Sequence, residues 1–126
     1  LRAGIFDRNG STLKEWELDN RICDCCQTGA AMTSNGPVVV YRDRSENEIR
    51  DMSVVRLVDG AWTEPMPLAI ELWEMPGCPV NGPAITAKGD AVAAAWFTAK
   101  GGFAQVKIAF SDDAGASQSA IFAGCH

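Results

Sequence analysis

Arginines and carboxylates crowd one short stretch of the chain, residues 42–51 with the sequence RDRSENEIRD. An arginine guanidinium can hold a carboxylate through two parallel hydrogen bonds, so clustered arginines suggest an anion site. A carboxyl group beside them could donate or accept a proton. The candidate ligand-binding residues are Arg21, Arg42, Arg44 and Arg50. The candidate acid–base residues are Glu46 and Asp43. The alternative is an ordinary solvated loop whose charges pair weakly with one another.

Cysteine provides a second cluster. Cys23, Cys25 and Cys26 lie close together in the sequence, and Cys78 follows far downstream. Three arrangements are open: free buried thiols, a disulfide from Cys78 to the cluster, or a thiolate site for zinc or copper(I). The chain has five cysteines, so Cys125 is the expected spare in any disulfide scheme.

Composition excludes several classes of function. The chain has 126 residues, which suits a single domain, and a net charge of −5, which disfavours nucleic acid as a partner. Its single histidine, His126, rules out a Ser-His-Asp triad and a two-histidine zinc site. There is no apolar run of about 18 residues, so we expect no membrane insertion. We also expect no cofactor.

The sequence predicts that β-strands position these residues. Proline and glycine interrupt the chain often, and the apolar runs between them are short. Three predicted strand pairs are 3–6 with 16–18, 37–41 with 52–57, and 91–97 with 104–110. The run Val92–Ala95 could favour a helix by propensity, but its aromatic neighbours and the following Gly-Gly favour a strand. Trp73, in the segment between the second and third pairs, is the expected exposed aromatic.

A weak internal repeat accompanies these strands. When Cys25 is placed over Cys78, the following residues correspond at an offset of about 53 residues. A few short strands repeated at this length match the size of a propeller blade. The predicted divisions are an N-terminal hairpin with the cysteine cluster at 1–26, a first blade-like unit at 27–67 and a second at 78–118.

The end of the second unit carries the most specific motif. The sequence SDDAGAS (111–117) resembles the Asp-box of sialidases, S-x-D-x-G-x-[ST]-W, through Ser111, Asp113, Gly115 and Ser117. In such a turn the aspartate accepts backbone hydrogen bonds and the glycine takes a left-handed conformation. Gln118 replaces the usual aromatic residue. The stretch 36–65 resembles a further sialidase blade.

The chain therefore resembles the sialidase-like, Asp-box-containing β-propellers of bacteria. The resemblance implies an all-β fold of antiparallel, blade-type sheets, with about two blades present and hence a partial propeller. It also implies that Arg21 would correspond to a carboxylate-binding arginine, and that Glu46 or Asp43 lies near the place of the acid. The later arginines and the nucleophilic tyrosine of the family have no counterparts here.

Two functional interpretations follow. The first is a non-catalytic propeller fragment or interaction module that self-associates, because open blades leave apolar faces and strand edges uncovered. The alternative is a glycan-binding or sialidase-type glycoside hydrolase piece whose full site needs further blades. We expect a homo-oligomer, with a glycan as the possible ligand.

Overall fold

A computed structural model describes residues 1–118 and 121–124. Within these residues the chain forms β-strands and one short 3-10 helix, with no α-helix. The strands are β1 (Arg2–Phe6), β2 (Thr12–Glu17), β3 (Gly29–Thr33), β4 (Gly36–Arg42), β5 (Met52–Val58), β6 (Ala61–Trp62), β7 (Met66–Pro67), β8 (Ala84–Lys88), β9 (Ala91–Thr98), β10 (Gln105–Ser111) and β11 (Ile121–Gly124). The 3-10 helix, Lys100–Gly102, lies between β9 and β10.

The strands form three sheets, and every pairing between them is antiparallel. β1 and β2 make a hairpin, β3 to β7 make a five-stranded sheet, and the last sheet has the order β11-β10-β9-β8. The all-β prediction is confirmed, and each predicted strand pair is present. The segment Val92–Ala95 lies within β9, so its small residues form a strand rather than a helix.

The core lies between the β3–β7 sheet and the β8–β11 sheet, which pack face to face. Val38, Val40 and Val54 from the first sheet share one buried cluster with Ala94 and Ala109 from the second. Alternation along each strand explains this, because residues two apart point to the same face of a sheet. The buried positions of β9 alternate strictly with less buried ones along the whole strand.

Two arginines close this interface at its ends. Arg42 and Arg56 lie on the same face of the first sheet as Val40. Arg42 Nη2 donates to the carbonyl oxygen of Phe97 at 2.6 Å, and Arg56 Nε donates to that of Ala114 at 3.0 Å. The two sheets are therefore joined by apolar packing in the middle and charged donors at the edges.

Matching positions of the two sheets contact one another directly. Asn35 Nδ2 donates to Asp90 Oδ1 at 2.9 Å, across a separation of 55 residues. The Ser34 amide donates to the Gly89 carbonyl at 3.0 Å, between the corresponding turns. The first two strands of the sheets correspond at this spacing rather than at the predicted 53, which holds for Cys25 and Cys78. Cys25 precedes the start of β3 by four residues whereas Cys78 precedes the start of β8 by six, which accounts for the change of offset.

Both ends of the described chain pair with or pack on neighbouring strands. The second sheet continues beyond residue 118, because β11 pairs with β10 through Ile121 to Gly124. The N-terminal hairpin contacts the first sheet, where Trp16 and Trp62 pack edge to face with ring centroids 6.3 Å apart. No helix in residues 1–118 or 121–124 is long and apolar enough to cross a membrane.

Candidate functional site: an arginine and cysteine cluster

The predicted arginine loop folds into a tight turn around Ser45. The Ser45 amide donates to the Ile49 carbonyl at 3.1 Å, and the Glu48 amide donates back to the Ser45 carbonyl at 3.0 Å. The Ser45 hydroxyl oxygen accepts the Ile49 amide at 3.0 Å. Glu48 takes a positive φ of 61°, a conformation that costs energy for a residue with a side chain.

Glu48 is the centre of this loop, and three arginines surround its carboxylate. Arg44 Nη2 lies 3.0 Å from Oε1, Arg21 Nη2 lies 3.2 Å from the same oxygen, and Arg50 Nη2 lies 2.8 Å from Oε2. The hydrogen bond from Arg44, with the nearby guanidinium charges, lowers the pKa of Glu48. The same hydrogen bond and the negative charge of Glu48 raise the pKa of Arg44. The sequence analysis chose Glu46, which is exposed, and missed Glu48.

Arg50 is almost fully enclosed, with 5% of its side chain exposed. Its remaining donors go to carbonyl oxygens of the segment before β8, at 3.1 Å to Met75 and 2.9 Å to Gly77. Arg50 therefore joins that segment to the loop through hydrogen bonds, and its guanidinium does not offer a free pair of donors to a ligand.

Arg42 is also internal, with 1% of its surface exposed. It donates to three carbonyl oxygens: Nε to Asn81 at 2.8 Å, Nη1 to Arg50 at 2.6 Å and Nη2 to Phe97 at 2.6 Å. Burial lowers its pKa. In residues 1–118 and 121–124 it forms no ion pair with a carboxylate.

Trp73 covers this guanidinium, and the expectation that Trp73 is exposed is wrong. The Arg42 guanidinium carbon lies 5.1 Å from the Trp73 ring centroid, in a cation–π contact. Trp73 is 8% exposed, because its segment folds back over the loop. Asp51 holds that segment by accepting the amides of Glu71, Leu72 and Trp73 at 2.8, 2.8 and 3.0 Å.

The second acid–base candidate, Asp43, lies apart from Glu48, the carboxylate that three arginines surround. Its Oδ1 accepts the Arg44 amide at 2.7 Å, and its Oδ2 accepts the Ser53 hydroxyl at 3.4 Å. Burial is the main reason that its pKa is raised, and the negative charge of Asp19 adds to the effect. Tyr41, the single tyrosine, is 1% exposed and donates to Asp19 Oδ2 at 2.7 Å.

The cysteines meet beside Arg42. Cys25 and Cys78 form a disulfide, with Cα atoms 6.4 Å apart, and both residues are exposed. Cys23 and Cys26 are buried free thiols whose sulfurs lie 2.7 Å apart. Burial raises the pKa of Cys26 to about 11, with a further contribution from its hydrogen bond with Cys23. Cys125 lies outside the described residues.

A turn hydrogen bond from the Cys26 amide to the Cys23 carbonyl, at 3.2 Å, brings these two thiols together. Their three-residue separation is the C-x-x-C spacing, which the sequence analysis did not recognise within the run Cys23-Asp24-Cys25-Cys26. The signal was present, but the intervening Cys25 obscured it.

The turn at 111–117 is held by its own side chains. Asp113 Oδ1 accepts the Ser117 amide at 2.9 Å and the Ser111 hydroxyl at 2.7 Å, and Oδ2 accepts the Ser117 hydroxyl at 2.6 Å. These hydrogen bonds, that from Ser117 first, lower the pKa of Asp113. Gly115 has φ +84°, and a Cβ there would lie 3.1 Å from Val38 Cγ2.

The arrangement leaves little capacity for anion binding. Arg42 and Arg50 are committed to carbonyl oxygens and Glu48, so only Arg21 and Arg44 reach the surface, and both already pair with Glu48. No protein-family model matches the chain, and the searches of curated proteins and of solved structures found no match either.

Proposed function

We propose that this chain is a non-catalytic, sialidase-like blade module that binds a second copy of itself. The contact surface is the outer face of the β8–β11 sheet, the face directed away from the core. This outer face is defined by Ala84 and Thr86 of β8, Ala93, Ala95 and Phe97 of β9, Val106, Ile108 and Phe110 of β10, and Phe122 of β11.

The composition of the outer face is the observation that carries the proposal. Its strand residues include no carboxylate, Thr86 is their polar member, and Lys88 and Asp112 lie at the edge beside Phe110. Val106 and Phe122 are 48% and 56% exposed. A continuous apolar face of this kind on a sheet is typical of a surface that packs against another protein.

The packing of the inner face supports the way in which the outer face would pack. The inner face of the same sheet presents small and branched residues, among them Ala94 and Ala109, to the valines of the β3–β7 sheet. The outer face presents Ala93 and Ala95 in the neighbouring register positions of β9. A second sheet could therefore pack on the outer face by the same small-against-branched interdigitation.

We take a second copy as the occupant because its matching apolar face brings no like charges into the contact. In a two-fold dimer each outer face meets the same face of its partner, so apolar residues meet apolar residues. The chain carries a net charge of −5, which opposes association in general. On this face the carboxylate of Asp112 lies at the edge, in the same groove as Lys88, so the strands that make the contact add no repulsion.

The non-catalytic part of the proposal rests on the loop. A glycoside hydrolase of the sialidase type needs a free arginine cluster and an accessible nucleophile. Glu48 already fills the arginine cluster, and Tyr41 is enclosed. No observation favours the glycan-binding alternative over the self-associating module.

Sedimentation velocity over a micromolar concentration range tests the proposal with two variants of the outer face. Ile108→Glu and Thr86→Glu place a carboxylate on the face, so both chains are expected to sediment as monomers while the unmodified chain sediments as a dimer. Thr86 is already exposed, so its replacement leaves the core intact, which circular dichroism checks.

Leu13→Glu is the matched control. Leu13 is 65% exposed and lies on the face of β2 opposite to that of Trp16. Trp16 contacts the first sheet. This variant should remain dimeric. A monomeric unmodified chain, or equal dimerisation of Thr86→Glu and Leu13→Glu, overturns the proposal.

A further inference from the structure

The four clustered cysteines take no part in the proposed dimer contact. They come from two segments that are distant in sequence, and the fold places their sulfurs close together. Cys23, Cys25 and Cys26 come from the turn before β3, and Cys78 comes from the segment before β8. The sulfurs of Cys23, Cys25 and Cys78 all lie within 4.8 Å of one another. The sulfur of Cys26 lies 2.7 Å from that of Cys23.

We propose that these four sulfurs form a redox-gated zinc site, which binds one zinc ion when the Cys25–Cys78 disulfide is reduced. Of these four cysteines, Cys23 and Cys26 alone have free thiols in the disulfide form. Reduction adds the two further ligands that a tetrahedral four-thiolate site requires.

The sulfur positions suit such a site. A zinc–sulfur bond of about 2.3 Å places the sulfurs of a tetrahedral site roughly 3.8 Å apart. The sulfurs of Cys23 and Cys25 lie 3.5 Å apart. The Cys23–Cys26 pair sits on a C-x-x-C turn closed by the Cys26 amide, the local geometry by which one turn offers two thiolates to one metal. The sulfurs of Cys23 and Cys26, 2.7 Å apart, would have to separate by about 1 Å to bind the same ion.

Arg42 supplies the second, independent observation. A buried cation normally has an anionic partner, because three neutral carbonyls offset its charge only in part. Arg42 is 1% exposed and forms no ion pair with a carboxylate among the described residues; Cys26 and Cys23 lie close enough to interact with its charge, as does the carboxylate of Glu71. Zinc bound by four thiolates carries two net negative charges, and this complex would add to the single negative charge that Glu71 supplies from beyond ion-pairing distance.

The site is also accessible. Cys25 and Cys78 are exposed whereas Cys23 and Cys26 are buried behind them. A reductant can therefore reach the disulfide from solvent, and the metal can enter by the same path to the inner thiols.

The chemistry balances with a phosphine as the reductant. The phosphine and one water molecule convert the disulfide to two thiols, and the phosphine becomes the phosphine oxide. The zinc ion then displaces one proton from each of the four thiols, and the buffer takes these protons up.

Cobalt(II) is the spectroscopic probe, because tetrahedral thiolate coordination gives intense visible bands and sulfur-to-metal charge transfer. The test uses a chain with Cys125→Ser and His126→Gln, which removes every other cysteine and histidine of the sequence. After phosphine reduction we expect one cobalt per chain with a tetrahedral thiolate spectrum, displaced by one equivalent of zinc. The unreduced chain should bind none.

Cys78→Ser in the same background should weaken zinc binding by more than the roughly 10- to 100-fold that loss of an outer-shell partner costs. Asp24→Asn, within the same turn, should leave affinity unchanged. Because Cys78→Ser could also perturb folding, circular dichroism of the reduced chain is recorded with and without zinc. A weak six-coordinate cobalt spectrum, equal binding by the unreduced chain, or binding of copper(I) without zinc or cobalt overturns the proposal.

Discussion

The charged guanidinium of Arg42 is buried at the junction between the two sheets. Its three carbonyl acceptors come from three different segments, at Asn81, Arg50 and Phe97. Each hydrogen bond from a charged donor to a buried acceptor contributes more than a neutral one, about 1.5–3 kcal/mol. One side chain therefore joins the loop after β4 to the segment before β8 and to the end of β9.

Replacement of Arg42 by methionine should lower the free energy of unfolding by about 3 kcal/mol or more, because three buried carbonyls lose their donor. Arg44→Met is the matched control, since Arg44 lies at the surface with 36% of its side chain exposed. Its loss should be distinctly smaller. Urea unfolding followed by tryptophan fluorescence measures both, and equal losses would contradict a structural role for Arg42.

At this scale the sequence identified the right residue types but not their roles. The mixture of arginines and acids in 42–51 suggested either an anion site or a loop of weakly paired charges, and in the structure Glu48 pairs with Arg21, Arg44 and Arg50. Which arginine is enclosed depends on strand alternation and on the segment that returns over the loop, including Trp73, and neither is visible in local composition. The central acid, Glu48, is itself a turn residue with a left-handed backbone conformation, and no local sequence pattern predicts that conformation.

Among the elements, the turn at 111–117 shows how a short polar motif stabilises a strand end. Asp113 accepts hydrogen bonds from Ser111 and Ser117, so the ionised carboxylate is favoured in the folded chain and its pKa is lowered. A carboxyl group with a lowered folded-state pKa adds stability above its unfolded pKa of about 3.9, and this contribution is lost as the pH falls.

Asp113→Asn should therefore lower the melting temperature at neutral pH, and the difference from the unmodified chain should shrink as the solution is acidified below about pH 4. Asp112→Asn, at the exposed neighbouring position, should change the melting temperature little at any pH. Thermal unfolding by circular dichroism over a pH series distinguishes them. A difference for Asp113→Asn that stays constant with pH would contradict this origin.

The strands were the most predictable elements, because apolar alternation and Gly-rich turns are local signals. β9 forms despite its alanines, since Trp96 and the buried positions around it pack into the core. The segment between β7 and β8 was the least predictable. It has no regular secondary structure, and Asp51 and Arg50 hold it through backbone contacts distant in sequence.

At the scale of the whole molecule, two sheets of similar order stack with equivalent positions in contact. The spacing of 55 residues recurs in the contacts of Asn35 with Asp90, Arg42 with Phe97 and Gln27 with Gly82. A stack of this kind has no intrinsic end, because each added sheet presents a new outer face. The internal repeat predicted two such units, but only the packed structure distinguishes the face that packs on the first sheet from the outer face.

The most direct test of the central claim is amine cross-linking of a mixture of heavy-isotope-labelled and unlabelled chains. Only a link between two copies joins one labelled to one unlabelled peptide. Lys88 lies at the edge of the outer face, and Lys14 lies on the N-terminal hairpin. We expect mixed-isotope links that include Lys88 and that disappear in Thr86→Glu. Mixed links confined to Lys14, or links within single copies alone, would contradict self-association through the β8–β11 sheet.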